Sequence, residues 1–275
     1  MIYISDNIVL DSGRRFTANN PRLCYSDVVR FSDLTVTSQE ALYPITNVTN
    51  PSTDFFWSAT STDEQVIESI FPLRDIDYVG IARHNLTSAQ LKIELLLQND
   101  IWFNPFIDLD LPIEEQDPLV NIFSASSLLF LFTKYVAKGL RLTITSAQTA
   151  PKISVLMAGE SLVLQRSIYV GHTPITYGRS RSMINGVSES GQYLGSILRR
   201  ETLNTSVSMD NITPAWFRER LDPFFQTKPY APFFWAWRPS RYPEEVGYCW
   251  LTGDPKVSNQ RSNGMMSVSF SMEGL

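Results

Sequence analysis

Leu140-Arg141-Leu142-Thr143-Ile144-Thr145 alternates apolar and polar residues one for one, the pattern of a strand with one buried face. The same period of two runs through Leu198 to Met209, where Thr202, Asn204, Ser206 and Ser208 alternate with Leu203, Thr205, Val207 and Met209, and again through Met265 to Glu273. Strand-length runs also occur at Leu34 to Ser38, Val66 to Ile70, Tyr78 to Arg83, Leu91 to Gln98 and Lys152 to Leu156. Their spacing between residues 34 and 164, with polar turns between them, predicts a sandwich. Phe233 to Trp237 and Gly247 to Thr252, bracketed by Pro229, Pro232, Pro239 and Pro243, read as further strands. One segment has helical spacing: from Ile212 to Phe225, Trp216, Phe217, Leu221 and Phe224 recur on one face, Asn211 or Thr213 stands in a capping position, and Pro214 suits a first turn. The fold class expected is all-β, with two domains and one short helix.

Before residue 34, short β-prone pieces are broken by Asp11-Ser12-Gly13 and Asn19-Asn20-Pro21, so residues 1–34 read as an entry segment packed on one of the two domains after it. Residues 35–165 form the expected sandwich, with an aromatic and acidic insertion at 99–135, and residues 166–275, richer in Arg, Gly, Trp and Pro, form a second mainly β domain.

At 275 residues the chain has room for two domains. Charged residues make up 19% against roughly 25% in ordinary domains, a balance that favours β-rich, surface-binding proteins. The net charge of −5 conceals an asymmetry: residues 1–165 carry 11 Lys+Arg against 19 Asp+Glu, and residues 166–275 carry 12 against 9. Opposite signs on two parts of one chain suit head-to-tail contacts between copies, and this balance disfavours nucleic acid. Cys24 and Cys249 are too few for a disulfide framework and read as buried thiols. The start Met1-Ile2-Tyr3-Ile4-Ser5-Asp6 has no basic region followed by an apolar core, so folding in the cytoplasm is expected, and no run reaches the length of a membrane span.

Two family resemblances rest on motif order. Tyr43-Pro44-Ile45-Thr46-Asn47 leads to Trp57, then to the strand Val66 to Ile70, then to Ile76-Asp77-Tyr78-Val79-Gly80-Ile81-Ala82-Arg83-His84-Asn85-Leu86, and later to Arg141-Leu142-Thr143-Ile144 and Lys152 to Glu160. From Thr35 to about Leu164 this resembles a discoidin, or galactose-binding-like, domain, which implies a jelly-roll β-sandwich. In the second half, Arg199-Arg200-Glu201-Thr202-Leu203 with Ser206-Val207, then Trp216 to Phe224, Pro232 to Pro239, Tyr248 to Leu251 and Met266 to Glu273 come one after another as in distal-tail or baseplate proteins of long-tailed bacteriophages and phage-like particles. Asn19 to Tyr25 is similar to the start of such proteins. This second resemblance implies a structural protein of the virion tail tip, made in the host cytoplasm. It would form a homo-oligomeric ring, a hexamer, that joins the tail tube to the hub and to receptor-binding or tail-fibre proteins in host attachment.

Enzyme motifs are scarce. The chain has no Gly-rich phosphate loop, no His-Glu-x-x-His, no Cys-x-x-Cys and no Gly-x-Ser-x-Gly, and only two histidines, His84 and His172, so neither catalysis nor a cofactor is expected. Asp108, Asp110, Glu114, Glu115 and Asp117 offer oxygen ligands of the kind Ca²⁺ selects, but their spacing fits no known loop and reads first as a solvated acidic insertion. Sugars stack on aromatic faces while Asn and Arg read hydroxyls. Trp102, Phe103, Arg83, His84 and Asn85 therefore form a candidate glycan contact, the alternative being a carbohydrate-binding protein that recognises a bacterial surface glycan. Trp57 reads as sandwich core, and His84-Asn85 equally as a plain turn. Arg179, Arg181, Arg238 and Arg241 with Trp235 and Trp237 are the candidate interface set. Alternation puts Phe233, Trp235 and Trp237 on one face and Phe234 on the other, so one set is core.

Overall fold

A computed structural model describes residues 1–5, 19–106, 119–168, 171–227, 231–260 and 264–275. The acidic group from Asp108 to Asp117 lies outside the described residues. The chain is all-β: the described residues form two sheets, antiparallel except for one strand pair, with one α/π helical segment and three short 3-10 turns.

The first sheet is organised by two long strands, β5 (Gln65–His84) and β9 (Leu128–Thr145). Val66 to Ile70 and Tyr78 to Arg83, read from the sequence as separate strands, are the two ends of β5. The register shifts between Ile70 and Arg74 and between Ile76 and Tyr78 bend the strand midway. The first half of β5 pairs with β3 (Asp33–Val36) and with the second half of β9, which continues to β6 (Gln90–Leu97) and the short β7 (Trp102–Phe103) and β8 (Val120–Asn121). The second half pairs with β10 (Lys152–Gly159), which carries β4 (Trp57–Ser58), and with the first half of β9, beside which β1 (Ile2–Ile4) runs parallel. The two ends of one bent sheet thus enclose a common core, with Trp57, Ile67, Val79, Ile81, Leu91, Ile93, Phe130, Leu142, Ile144 and Leu156 among its buried residues.

Residues 128–135, assigned to the insertion on sequence grounds, are half of this central strand. The reason is burial on both faces. Leu128, Phe130 and Phe132 point into the sandwich core while Leu129 and Leu131 face the second sheet, so the segment reads as a continuous apolar run without alternation. Tyr78 and Ala82 of β5 and Val155 and Met157 of β10 share that outer face.

The second sheet has the order β11 (Leu162–Val163), β2 (Arg22–Cys24), β14 (Phe233–Ala236), β15 (Val246–Leu251), β17 (Met266–Gly274), β13 (Tyr193–Ile212) and β12 (Arg179–Val187), with β16 (Lys256–Asn259) on β17. The segment up to residue 34 therefore contributes β1 to one sheet and β2 to the other. All four residues of β14 are buried: Phe233 and Trp235 enter the second core, and Phe234 and Ala236 pack on the sandwich.

The helix spans an α turn (Pro214–Trp216), a π turn (Phe217–Leu221) and a final α stretch (Asp222–Thr227), burying Phe217, Leu221, Phe224 and Phe225 in that core. Thr213 is its N-cap residue, but its hydroxyl makes no capping bond. It accepts instead from the Gln165 amide at 2.9 Å, while the Thr213 N–H donates back to Gln165 at 2.9 Å. Asn211, the other capping candidate, sits at φ 60° in a β-bulge of β13.

Candidate functional site

Arg83, His84 and Asn85 end β5 in a turn. Asn85 donates to the Thr149 hydroxyl and the Ala150 carbonyl, at 3.1 and 2.9 Å, and accepts from the Lys152 N–H. The His84 ring lies 2.9 Å from the Ser126 carbonyl and accepts from the Leu86 N–H, and burial pushes its pKa below the ordinary histidine value. Only Arg83 is exposed. The polar groups of His84 and Asn85 are thus occupied by Leu86, by Ser126 and by the segment from Thr149 to Lys152.

Trp102 and Phe103 sit elsewhere, on β7 at the margin of β6, half-buried. The Arg141 guanidinium lies 4.0 Å from the centre of the Trp102 ring. Arg141 is held in turn by Glu68, at 2.7 Å, and Glu94, at 3.7 Å. Alternation explains the cluster: Glu68, Glu94 and Arg141 are the polar members of three adjacent alternating strands, so they share the outer face in register, Arg141 directly across from both carboxylates. Phe103 packs on Tyr135 with ring centres 5.1 Å apart. Trp57 is fully buried, and its indole N–H donates to the Ser38 carbonyl at 3.1 Å.

The candidate interface residues divide. Trp235 is completely buried inside its own chain and is not available to another copy. Trp237, half-buried, stacks on Tyr242 at 5.4 Å, with Arg238 and Arg241 each 5.7 Å from the Tyr242 ring, and its indole donates to Glu245. Arg179 and Arg181 lie on β12, where Arg181 pairs with Glu201 at 3.1 Å.

Those two arginines stand at the root of the feature that sequence reasoning missed. β12 and the first half of β13 continue past the sheet as a two-stranded ribbon whose residues are exposed almost throughout. Met183 opposes Leu198 and Val187 opposes Tyr193 on one face; Ile184 opposes Ile197 on the other. Leu194 joins the second face, since a Cβ on Gly186 would meet its Cβ at 3.5 Å. Gly195, at φ +128°, takes the backbone conformation this irregular pairing requires. These seven side chains are between 49% and 70% exposed. The sequence signal was present: β-branched and apolar residues flank the turn Ser188-Glu189-Ser190-Gly191.

Among the described residues there is no group of three or more His, Cys, Asp or Glu side chains placed to hold a metal ion, and no helix is long and apolar enough to cross a membrane. Cys24 and Cys249 are free and buried, and burial raises both thiols.

No protein-family model matches the chain, and no curated protein matches it. Solved structures align with about half of it. A chitosan-binding module of a chitosanase/glucanase from Paenibacillus sp. IK-5 is 12% identical over 49% of this chain and 98% of that one, with a TM-score of 0.39. CpGH89CBM32-5 from Clostridium perfringens, in complex with GalNAc-beta-1,3-galactose, is 10% identical over 49% and 100%, also at 0.39. A GH29 fucosidase from Ruminococcus gnavus, in complex with fucose, is 14% identical over 50% of this chain but only 27% of its own, at 0.39. The fold itself is defined by strand order and packing.

Proposed function

We propose that this protein is a non-catalytic structural component that assembles with copies of itself, the second sheet building the assembly and the sandwich displayed from it. The observation that carries this reading is the ribbon of β12 and β13. A two-stranded ribbon is marginal alone in water, and this one exposes apolar side chains on both faces, which a monomer gains nothing by displaying. The order of motifs in the second half points further, to a distal-tail or baseplate role in a phage-like particle. Light scattering across a concentration and salt series tests the reading: a discrete closed oligomer, or salt-sensitive assembly towards one, supports it, and a strict monomer overturns it.

A second reading, glycan recognition by the sandwich, is favoured by the Trp102–Arg141 cluster, where a half-buried indole lies against the Arg141 guanidinium, which Glu68 and Glu94 hold in place. The polar groups of Arg83, His84 and Asn85 do not converge on that indole. A glycan array with the full chain tests it, and a blank array would remove it.

A further inference from the structure

We propose that Met183 is an oxidation site, its thioether taking one oxygen atom from a hydroperoxide to become the sulfoxide. The chain carries its sulfur in seven methionines and two cysteines. Met157, Met209, Met266 and Met272 are between 1% and 8% exposed, and Met1 and Met265 are partly buried. Cys24 and Cys249 are buried and burial raises both thiols, so neither presents the thiolate that an oxidant attacks. Met183, at 50%, is the open sulfur of the chain.

Its place on the ribbon accounts for that exposure. Met209 of β13 and Met266 and Met272 of β17 lie where those strands cover the second core, and their side chains are buried in it. Met183 lies on the part of β12 that continues past the sheet, directly across from Leu198, itself 49% exposed. The same alternation of strand residues therefore puts a thioether in the core at one end of the pair and in solvent at the other.

The step balances with the hydroperoxide alone. A lone pair of the Met183 Sδ attacks the terminal oxygen, and the S–O bond forms as the O–O bond breaks. The sulfur is oxidised by two electrons and the peroxide is reduced to an alcohol or to water, the hydroxyl proton passing to the departing oxygen. An apolar side chain becomes a polar, chiral one. It stands on the face shared by Leu198, Val187 and Tyr193, so oxidation opposes burial of that face against a second copy. This consequence rests on the self-assembly reading; the modification itself does not.

The test treats the full chain, in dilute solution, with hydrogen peroxide, and follows the sulfoxide at each methionine by digestion and mass spectrometry. Met183 is expected to oxidise about tenfold or more faster than Met157, Met209, Met266 and Met272. Equal rates, or another methionine reacting first, overturn the proposal. Melting curves before and after treatment check that the fold is kept. Met183→Leu, which keeps an apolar side chain of similar volume, is the second arm. Light scattering is expected to show wild-type self-association weakened about tenfold by oxidation and that of Met183→Leu unchanged. If Met183 oxidises first and wild-type assembly is unaffected, the consequence for assembly falls while the site and the assembly reading stand. If the wild-type chain is monomeric before oxidation, the assembly reading falls and the oxidation rates still decide the site.

Discussion

The ring of Phe234 occupies the space that a side chain on Gly80 would need. A Cβ at Gly80 would lie 2.4 to 2.8 Å from three atoms of that ring. Gly80 is on β5 of the sandwich and Phe234 on β14 of the second sheet, so this contact sets how closely the two sheets approach. Around it, the Tyr78 hydroxyl donates to the Ser26 carbonyl and the Tyr248 hydroxyl to the Pro51 carbonyl at 2.8 Å. The two sheets share one buried layer, and a change at Gly80 is felt in both.

Gly80→Ala is expected to destabilise the protein by about 1–3 kcal/mol, the usual range for overpacking a filled core. Phe234→Leu in the same chain should recover part of the loss, because the two residues compete for one volume. Urea unfolding of both single variants and the double variant measures the coupling; additive losses would show that Gly80 acts through something other than this ring.

Asp77 carries a pH dependence. Its carboxylate accepts from the Ser161 N–H at 2.6 Å and the Ser161 hydroxyl at 2.9 Å and lies 3.9 Å from Arg22, yet burial raises its pKa to about 6. The folded state therefore holds the proton more tightly than the unfolded chain does. The stability this contributes is present below about pH 4 and is lost as pH rises through about 6. Relative to Asp77→Asn, which keeps its shape and does not titrate, the wild-type protein should lose about 3 kcal/mol between pH 4 and pH 7. Parallel stability curves for the two proteins would show that Asp77 does not titrate this way.

The ribbon contributes little to the fold that carries it. Replacing residues 183–199 by Asn-Gly joins Ser182 to Arg200, which are already paired across the ribbon, through a two-residue turn suited to a hairpin. The melting temperature is expected to change by no more than about 4 °C, since exposed side chains add little to stability. Loss of cooperative melting would show the ribbon to be part of the folding unit.

Trp102→Ala separates the two functional readings. Its ring is half-exposed and its contacts with Arg141 are partly solvated, so the stability cost should be about 1 kcal/mol or less. Glycan binding, where found, should fall at least tenfold, as loss of a stacking aromatic is worth about 1–3 kcal/mol. Undiminished binding would move any sugar site away from this face.

Trp57 fills the sandwich core and should behave differently. Trp57→Ala is expected to cost about 3–5 kcal/mol, measured by urea denaturation, because it opens a cavity in a fully buried site. A loss below about 1 kcal/mol would mean that the core closes over the space.

Period-two alternation in Leu140 to Thr145, Leu203 to Met209 and Met265 to Glu273 was sufficient to determine the strands, since one buried and one wet face leave their mark residue by residue. Helical spacing from Trp216 to Phe224 did the same for the single helix, and Trp57 and the two cysteines were legible as core from their apolar surroundings. What the sequence could not hold was which sheet lies against which. Leu128 to Phe132 is apolar at every position because two layers cover it, and no local period distinguishes that from an insertion. Trp235 reads as well for an interface as for a core until β14 is seen buried on both faces. Met183 and Ile197 fall in no strand expected from the sequence, and only the tertiary structure shows them in a ribbon that passes beyond its sheet with both faces exposed among the described residues. Periodicity records whether a face is covered; only the packing of distant segments decides what covers it.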